Sequence, residues 1–128
     1  MNIEERIKNA ETHIVKTVFP NTTNHHGTLF GGTALSWMDE VAFITATRFC
    51  RQKMVTVSID RTDFNKPIPE GTIAELIGRV KKIGRTSMQV KVDIYIEQMY
   101  SEHRELAIEG LITMVAVDKH LKPVEIQK

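Results

Sequence analysis

The chain carries a single cysteine, Cys50, so no disulfide can form within it. That usage fits a reducing compartment, and a cytoplasmic location is expected. Nor is there an excess of one charge: 17 Lys and Arg face 16 Asp and Glu, leaving a net +1. This balance argues against a general nucleic-acid or membrane-surface binder. No apolar run approaches the roughly 20 residues that a bilayer crossing needs, so no membrane span is expected. The opening Met1-Asn2-Ile3-Glu4-Glu5-Arg6 lacks the apolar centre of a secretory leader. No repeat or low-complexity stretch is present, and the five histidines match no zinc spacing. His25 and His26, being adjacent, cannot easily converge on one ion, so no metal is expected. Ser36 and Ser58 lie in no Gly-x-Ser-x-Gly elbow, which excludes the common serine hydrolase arrangement. Cys50 has no activating base near it in sequence and is expected to pack.

What is present reads as one domain over residues 1–128, with its core between about 10 and 120. A short helix to about Lys8 precedes a first strand from Thr12 to Val18. The segment from Asn21 to Gly27 is rich in turn formers and reads as a loop. One long helix opens near Gly31-Gly32 and ends near Arg51. Beyond it the period changes to two. Val55, Val57 and Ile59 alternate with Thr56, Ser58 and Asp60, as in a half-buried strand. Ala74, Leu76, Gly78 and Val80 share a face of the next, and Met88, Val90, Val92, Ile94 and Ile96 mark a third. A last strand spans about Leu106 to Asp118 and is apolar on both faces. One long helix followed by four strands on short connections implies an α+β fold, an antiparallel sheet laid against the helix. The helix has an apolar arc wider than a one-sided helix needs, which predicts that its sheet wraps it, that a second subunit contacts it, or both.

Asp39 is the informative residue in that arc. At about 100° per residue it falls beside Leu35, Ala42 and Ala46, whereas Glu40 falls with Ser36, Thr47 and Arg51 on the polar side. An ionised carboxylate facing a core is costly unless something pairs with it, so Asp39 is a candidate for function. The helix start just upstream offers free N–H groups and a favourable dipole to a developing negative charge. Gly31 and Gly32 would let a ligand approach that backbone closely; they would equally suit a tight turn or close helix–sheet packing. Asn24 could donate its amide to a carbonyl or orient a water, or simply close an Asx turn.

The order Asn24-His25-His26-Gly27, Phe30-Gly31-Gly32, Trp37-Met38-Asp39-Glu40, Asp63-Phe64 with Lys66-Pro67, Gly84-Arg85-Thr86-Ser87 and Val115-Ala116-Val117-Asp118 resembles the acyl-CoA thioesterases of the hotdog fold. The likeness is to the bacterial YciA-like and mammalian brain-type hydrolases, and it covers about residues 10 to 120. It implies an antiparallel sheet wrapped around one long central helix and hydrolysis of acyl-CoA to free CoA and a carboxylic acid. It also implies Asn24 and Asp39 as catalytic residues, beside which the amides of Gly31 and Gly32 are the candidate oxyanion site. Coenzyme A is then part of substrate and product, and no separate cofactor is expected. Lys82, Arg85, Thr86 and Ser87 are candidates for the CoA phosphates, as arginine and lysine suit phosphate; they would also serve as solvated turn and edge charges. Val57, Ser58, Asp63 and Phe64 are candidates for the pantetheine or acyl channel.

Residues 32 and 39 are about 10 Å apart along a helix rising 1.5 Å per residue. Asp39 therefore cannot easily attack a carbonyl held at its own helix start. The simplest repair is that a second copy's Asp39 reaches that site; the resemblance implies a homodimer with the two helices antiparallel side by side, each chain lending Asp39 to the other's site. The family it resembles varies between dimers and trimers of dimers, so the resemblance leaves oligomer size open; a homodimer assembled into a hexamer is the expectation. The alternative enzyme, a hotdog hydratase, would want an Asp–His pair, and the only loop histidines lie beside Asn24 upstream of the helix. The non-enzymatic alternative is an acyl-CoA-binding sensor.

Overall fold

The computed structural model describes residues 1–128. Helix α1 (Ile3–Ala10) starts where Asn2 Oδ1 accepts from the Glu5 amide at 2.8 Å, with Glu4 and Glu5 at its positive end. Strand β1 (Thr12–Thr17) follows, then a 3-10 turn over Pro20–Thr22 and the long helix α2 (Gly31–Cys50). Strands β2 (Met54–Phe64), β3 (Ile73–Ile83), β4 (Ser87–Glu97) and β5 (Arg104–Ala116) complete the chain. Every neighbouring pair is antiparallel, in the order β1-β3-β4-β5-β2.

The sheet curls round α2, which touches all five strands. Two glycines set how closely it sits. A Cβ at Gly78 would run into Thr45 and Val41, and one at Gly110 would meet the end of Met38. The helix therefore rests on sheet backbone at those points. Met38, Val41, Ala42 and Ala46 fill the hollow against Leu76, Val90, Ile94, Ile112 and Met114, all essentially buried. Each of the larger side chains contributes about 1.5–3 kcal/mol on burial.

Two sequence expectations change. The strand after the helix is not half-buried: Val57 is 55% and Ile59 43% exposed. β2 is the sheet edge, and register shifts at Thr56/Ser58 and Ile59/Arg61 break its alternation. The last strand ends at Ala116 rather than near Asp118, where Val117 instead bridges to Pro123. On α2 the apolar arc is indeed wider than the sheet can cover, leaving Phe43 47% exposed. No helix is long and apolar enough to cross a membrane.

Candidate active site

Asp39 does not face the core. It is half-buried, on the margin where the covered face of α2 gives way to the open one, between buried Ala42 and exposed Phe43. The sheet covers a narrower arc than the apolar residues define, which is why an aspartate at the middle of that arc escapes full burial. Thr56 of β2 donates its hydroxyl to Asp39 Oδ1 at 2.6 Å. That bond fixes the carboxylate's rotamer and leaves Oδ2 free to act. Thr56 is the residue that sequence reasoning missed. In the sequence it is one polar member of an alternating strand, and nothing marks it until the strand is laid beside the helix.

β2 runs antiparallel to α2, so three pairs line up along them. Gly31 lies beside the Phe64 ring, Asp39 beside Thr56, and Cys50 Sγ lies 3.6 Å from Met54 Sδ. Cys50 packs as expected, and burial pushes its thiol pKa up, away from reactivity.

The start of α2 is open. Its N-cap position, Phe30, supplies no side-chain hydrogen bond to the first-turn amides. Neither Gly31 nor Gly32 has a positive φ. A Cβ on Gly32 would meet nothing within 4 Å, and one on Gly31 only the Phe64 ring at 3.7 Å. Turn strain and crowding within the subunit therefore do not explain the pair. A cleft of about 290 Å³ opens here between Thr28, Gly31, Phe64, Lys66 and Ile108.

The loop before the helix is organised by Asn24. Its Oδ1 accepts from the His26 amide at 2.9 Å and from both the amide and the hydroxyl of Thr28 at 3.2 Å. The Asn24 carbonyl takes the Gly27 amide at 3.0 Å, with Gly27 at φ +72°. The Asx turn is thus real, and it does not use Nδ2. With its oxygen held by three donors, Asn24 presents an oriented, unpartnered N–H₂ group.

The other candidates separate by face. Ser58 donates to Asp60, which also accepts from Gln89 and Thr113 on the outer face of the sheet. Asp63 pairs with Arg61 Nε at 3.0 Å on that same outer face. Ser58 and Asp63 therefore stand on the opposite side of β2 from Asp39, Thr56 and Phe64. Lys82 and Ser87 border a cleft of about 240 Å³ at the β3–β4 turn. Arg85 is exposed, 3.7 Å from Glu125, and the carbonyls of Arg85, Thr86 and Ser87 accept from Ile126, Ala116 and Gly84. Val57 is the extra residue of a bulge on the open edge. His25 and His26 stack with ring centroids 3.8 Å apart, and no three His, Cys, Asp or Glu side chains converge as a metal site.

A family model described as the thioesterase superfamily matches residues 26–102. The chain belongs to the thioesterase superfamily. This superfamily member is 42% identical over 120 residues to the uncharacterized acyl-CoA thioester hydrolase YkhA of Bacillus subtilis, covering 92% of this chain and 70% of that one. Among solved structures it resembles the acyl-CoA hydrolase of Staphylococcus aureus in complex with butyryl coenzyme A, coenzyme A and coenzyme A disulfide. That match has a TM-score of 0.89 and 38% identity, over 94% of this chain and 73% of the other. It also resembles an apo-hexameric acyl-CoA thioesterase, with a TM-score of 0.90 and 39% identity over 94% and 77% of the two chains. The sheet wrapped on α2 is the hotdog fold. The staphylococcal hydrolase has further been solved with an asparagine, an aspartate and a threonine each changed to alanine. The intervals between those three positions equal those between Asn24, Asp39 and Thr56.

Proposed function

We propose that this protein hydrolyses acyl-CoA thioesters to free CoA and a carboxylic acid at sites shared between two copies of the chain. The observation that carries the site is Asp39, held by Thr56 on the open side of α2, well along the helix from the uncapped Gly31-Gly32 start. One copy supplies Asn24 Nδ2 and the Gly31 and Gly32 amides to the thioester oxygen. The other supplies Asp39 and Thr56 to the acyl carbon.

Asp39 Oδ2 takes a proton from water as the water oxygen bonds to the carbonyl carbon. The oxyanion that forms is stabilised by the helix-start amides and by Asn24. As the carbonyl re-forms, the C–S bond breaks and the thiolate of CoA leaves, taking up a proton. Phe64 and Val57 line the way in, and Lys82, Arg85, Thr86 and Ser87 receive the CoA phosphates. Coenzyme A enters as substrate and leaves as product, and no other cofactor takes part. The copies pair through the open edge of β2 and the bare side of α2, where Val57, Ile59 and Phe43 are exposed. Three such dimers form the hexamer.

Homology to enzymes named hydrolases sets aside the non-catalytic sensor. Thiol release measured over a panel of acyl lengths tests the proposal; tight binding of acyl-CoA without multiple turnover overturns it. Single turnover in ¹⁸O-water tests the role of Asp39: label in the acid but not in the protein fits a general base, whereas ¹⁸O in Asp39 shows direct attack.

A further inference from the structure

At the far end of α2 from Gly31, about 30 Å along the axis, lies a cleft with a different character. It encloses about 330 Å³ between Met1, Arg6, Asn9, Arg48, Phe49 and Arg51. Three of the six are arginines and none is acidic. None of the three forms an ion pair, although the chain contains eleven such contacts elsewhere. Glu11 illustrates the separation. It offers Arg48 only its main-chain carbonyl, while its carboxylate goes to His13 and Arg79.

Two of the guanidinium groups are already fixed. Arg6 Nη2 donates to the carbonyls of Phe49 at 2.9 Å and Gln127 at 2.6 Å, and its Cζ lies over the Phe49 ring, 4.4 Å from the centroid. Arg48 donates to the carbonyls of Glu11 at 2.9 Å and Asn9 at 2.8 Å and to the Thr12 hydroxyl. Their remaining N–H groups are free, and little side-chain entropy is left to lose on binding. The negative end of α2 offsets about half a charge of the three.

The third arginine sits where its backbone disfavours it. Arg51 is the C-cap of α2 at φ 51°, ψ 36°, the left-handed conformation in which glycine is cheapest, and its side chain makes no hydrogen bond or ion pair. Arg51 is thus an unpaired cation in a costly backbone conformation, lining a cleft that already holds two fixed guanidinium groups.

We propose that this cleft binds a phosphate-bearing small molecule, with the Arg6, Arg48 and Arg51 guanidinium groups sharing its phosphate oxygens. A phosphate offers several oxygens and up to two charges to forked donors, which suits three arginines better than a single carboxylate would. The volume holds a phosphate with room beside it for a sugar or a second phosphate.

Calorimetric titration of the assembled protein with pyrophosphate, ADP and adenosine tests this, with Arg51→Gly as the variant. Glycine adopts the Arg51 backbone readily, so this variant folds at least as stably, and its thiol-release activity on saturating acyl-CoA stays unchanged. We expect one saturable site per chain for pyrophosphate and ADP and none for adenosine. Arg51→Gly should weaken both ligands about tenfold or more, as loss of a charge-assisted pair does. Equal affinity for both ligands assigns a bare phosphate occupant, and tighter ADP assigns a nucleotide; either supports the site. It is overturned if the wild type shows no saturable binding or if Arg51→Gly binds as well as the wild type. It is also overturned if ADP binding is lost in Lys82→Ala/Arg85→Ala instead, since the anion then occupies the CoA phosphate site. Because binding is read directly, failure here leaves the hydrolase reading standing.

Discussion

The Thr56 hydroxyl reaches Asp39 Oδ1 at 2.6 Å and so ties the edge strand to the long helix at a carboxylate on the margin of its open face. This bond gives the threonine and the aspartate separable signatures. Asp39→Asn should lower kcat by roughly 10²–10⁴-fold with a modest change in KM. Thr56→Val, which keeps the shape and loses the donor, should lower kcat roughly tenfold or more, and Thr56→Ser should recover most of it. Steady-state thiol release across the three variants decides; an unchanged kcat in Asp39→Asn removes that residue from the mechanism.

Asn24 has two duties on two atoms. Asn24→Asp keeps the oxygen that closes the turn and loses the N–H₂ group, so thermal stability should hold while kcat falls. Asn24→Ala loses both and should cost about 1–2 kcal/mol as well. Equal melting temperatures for the two variants would contradict the turn-closing role.

A site shared across the two-fold axis can be rebuilt from two broken halves. Asn24→Ala and Asp39→Ala proteins, each inactive, should regain about a quarter of wild-type activity when unfolded together and refolded as mixed dimers. Activity that stays near zero in the mixture would place both residues in one subunit's site.

Gly78 and Gly110 both face the helix, but their neighbours differ. A methyl group at Gly110 meets the flexible end of Met38, which can turn away. At Gly78 it meets β-branched Val41 and Thr45, whose hydroxyl already donates to the Val41 carbonyl at 2.8 Å. Gly78→Ala should therefore cost about 1–3 kcal/mol, and Gly110→Ala clearly less. Urea denaturation of the two variants measures the order.

His13 joins β1 to its neighbours, its ring nitrogens 2.6 Å from Glu11 and 3.1 Å from Glu75. Hydrogen bonds to Glu11 and then Glu75 raise its pKa above the ordinary 6.5. Because the folded value is the higher one, its contribution is complete below about pH 6.5 and is lost as the pH rises through the raised value. His13 and then Arg79 hold Glu11 low. Burial pushes Glu75 up, but His13 and Arg104 outweigh it and leave it low too. The carboxylate contribution is present above about 4.5, their ordinary value, and is lost as the pH falls through the lowered ones. Stability from this cluster should thus peak between about pH 4.5 and 6.5. His13→Gln should flatten the decline above pH 6.5 in a pH series of melting temperatures.

Much of this was legible in the residues. Helix α2 was, because its composition switches from Gly31-Gly32 to a long apolar arc and then to period two. β4 was, because its five apolar residues alternate without a break. The edge position of β2 was not: alternation reports which residues are apolar, and only the strand order shows that nothing lies beyond them. For the same reason Asp39 could be placed on the apolar arc but not at its uncovered margin. Thr56 was hidden because a hydroxyl takes its meaning from what lies opposite, 17 residues away in the chain. The faces of Ser58 and Asp63 were masked by the two register shifts, each of which resets the count of inward and outward residues.

Those shifts have a further consequence. An orphan copy would carry an 11-residue strand with a raw hydrogen-bonding rim, the kind of border on which fibrils and precipitates grow. Two kinks in that rim make it too crooked to template an endless stack. A mate can cap it once, and growth of the ribbon then stops.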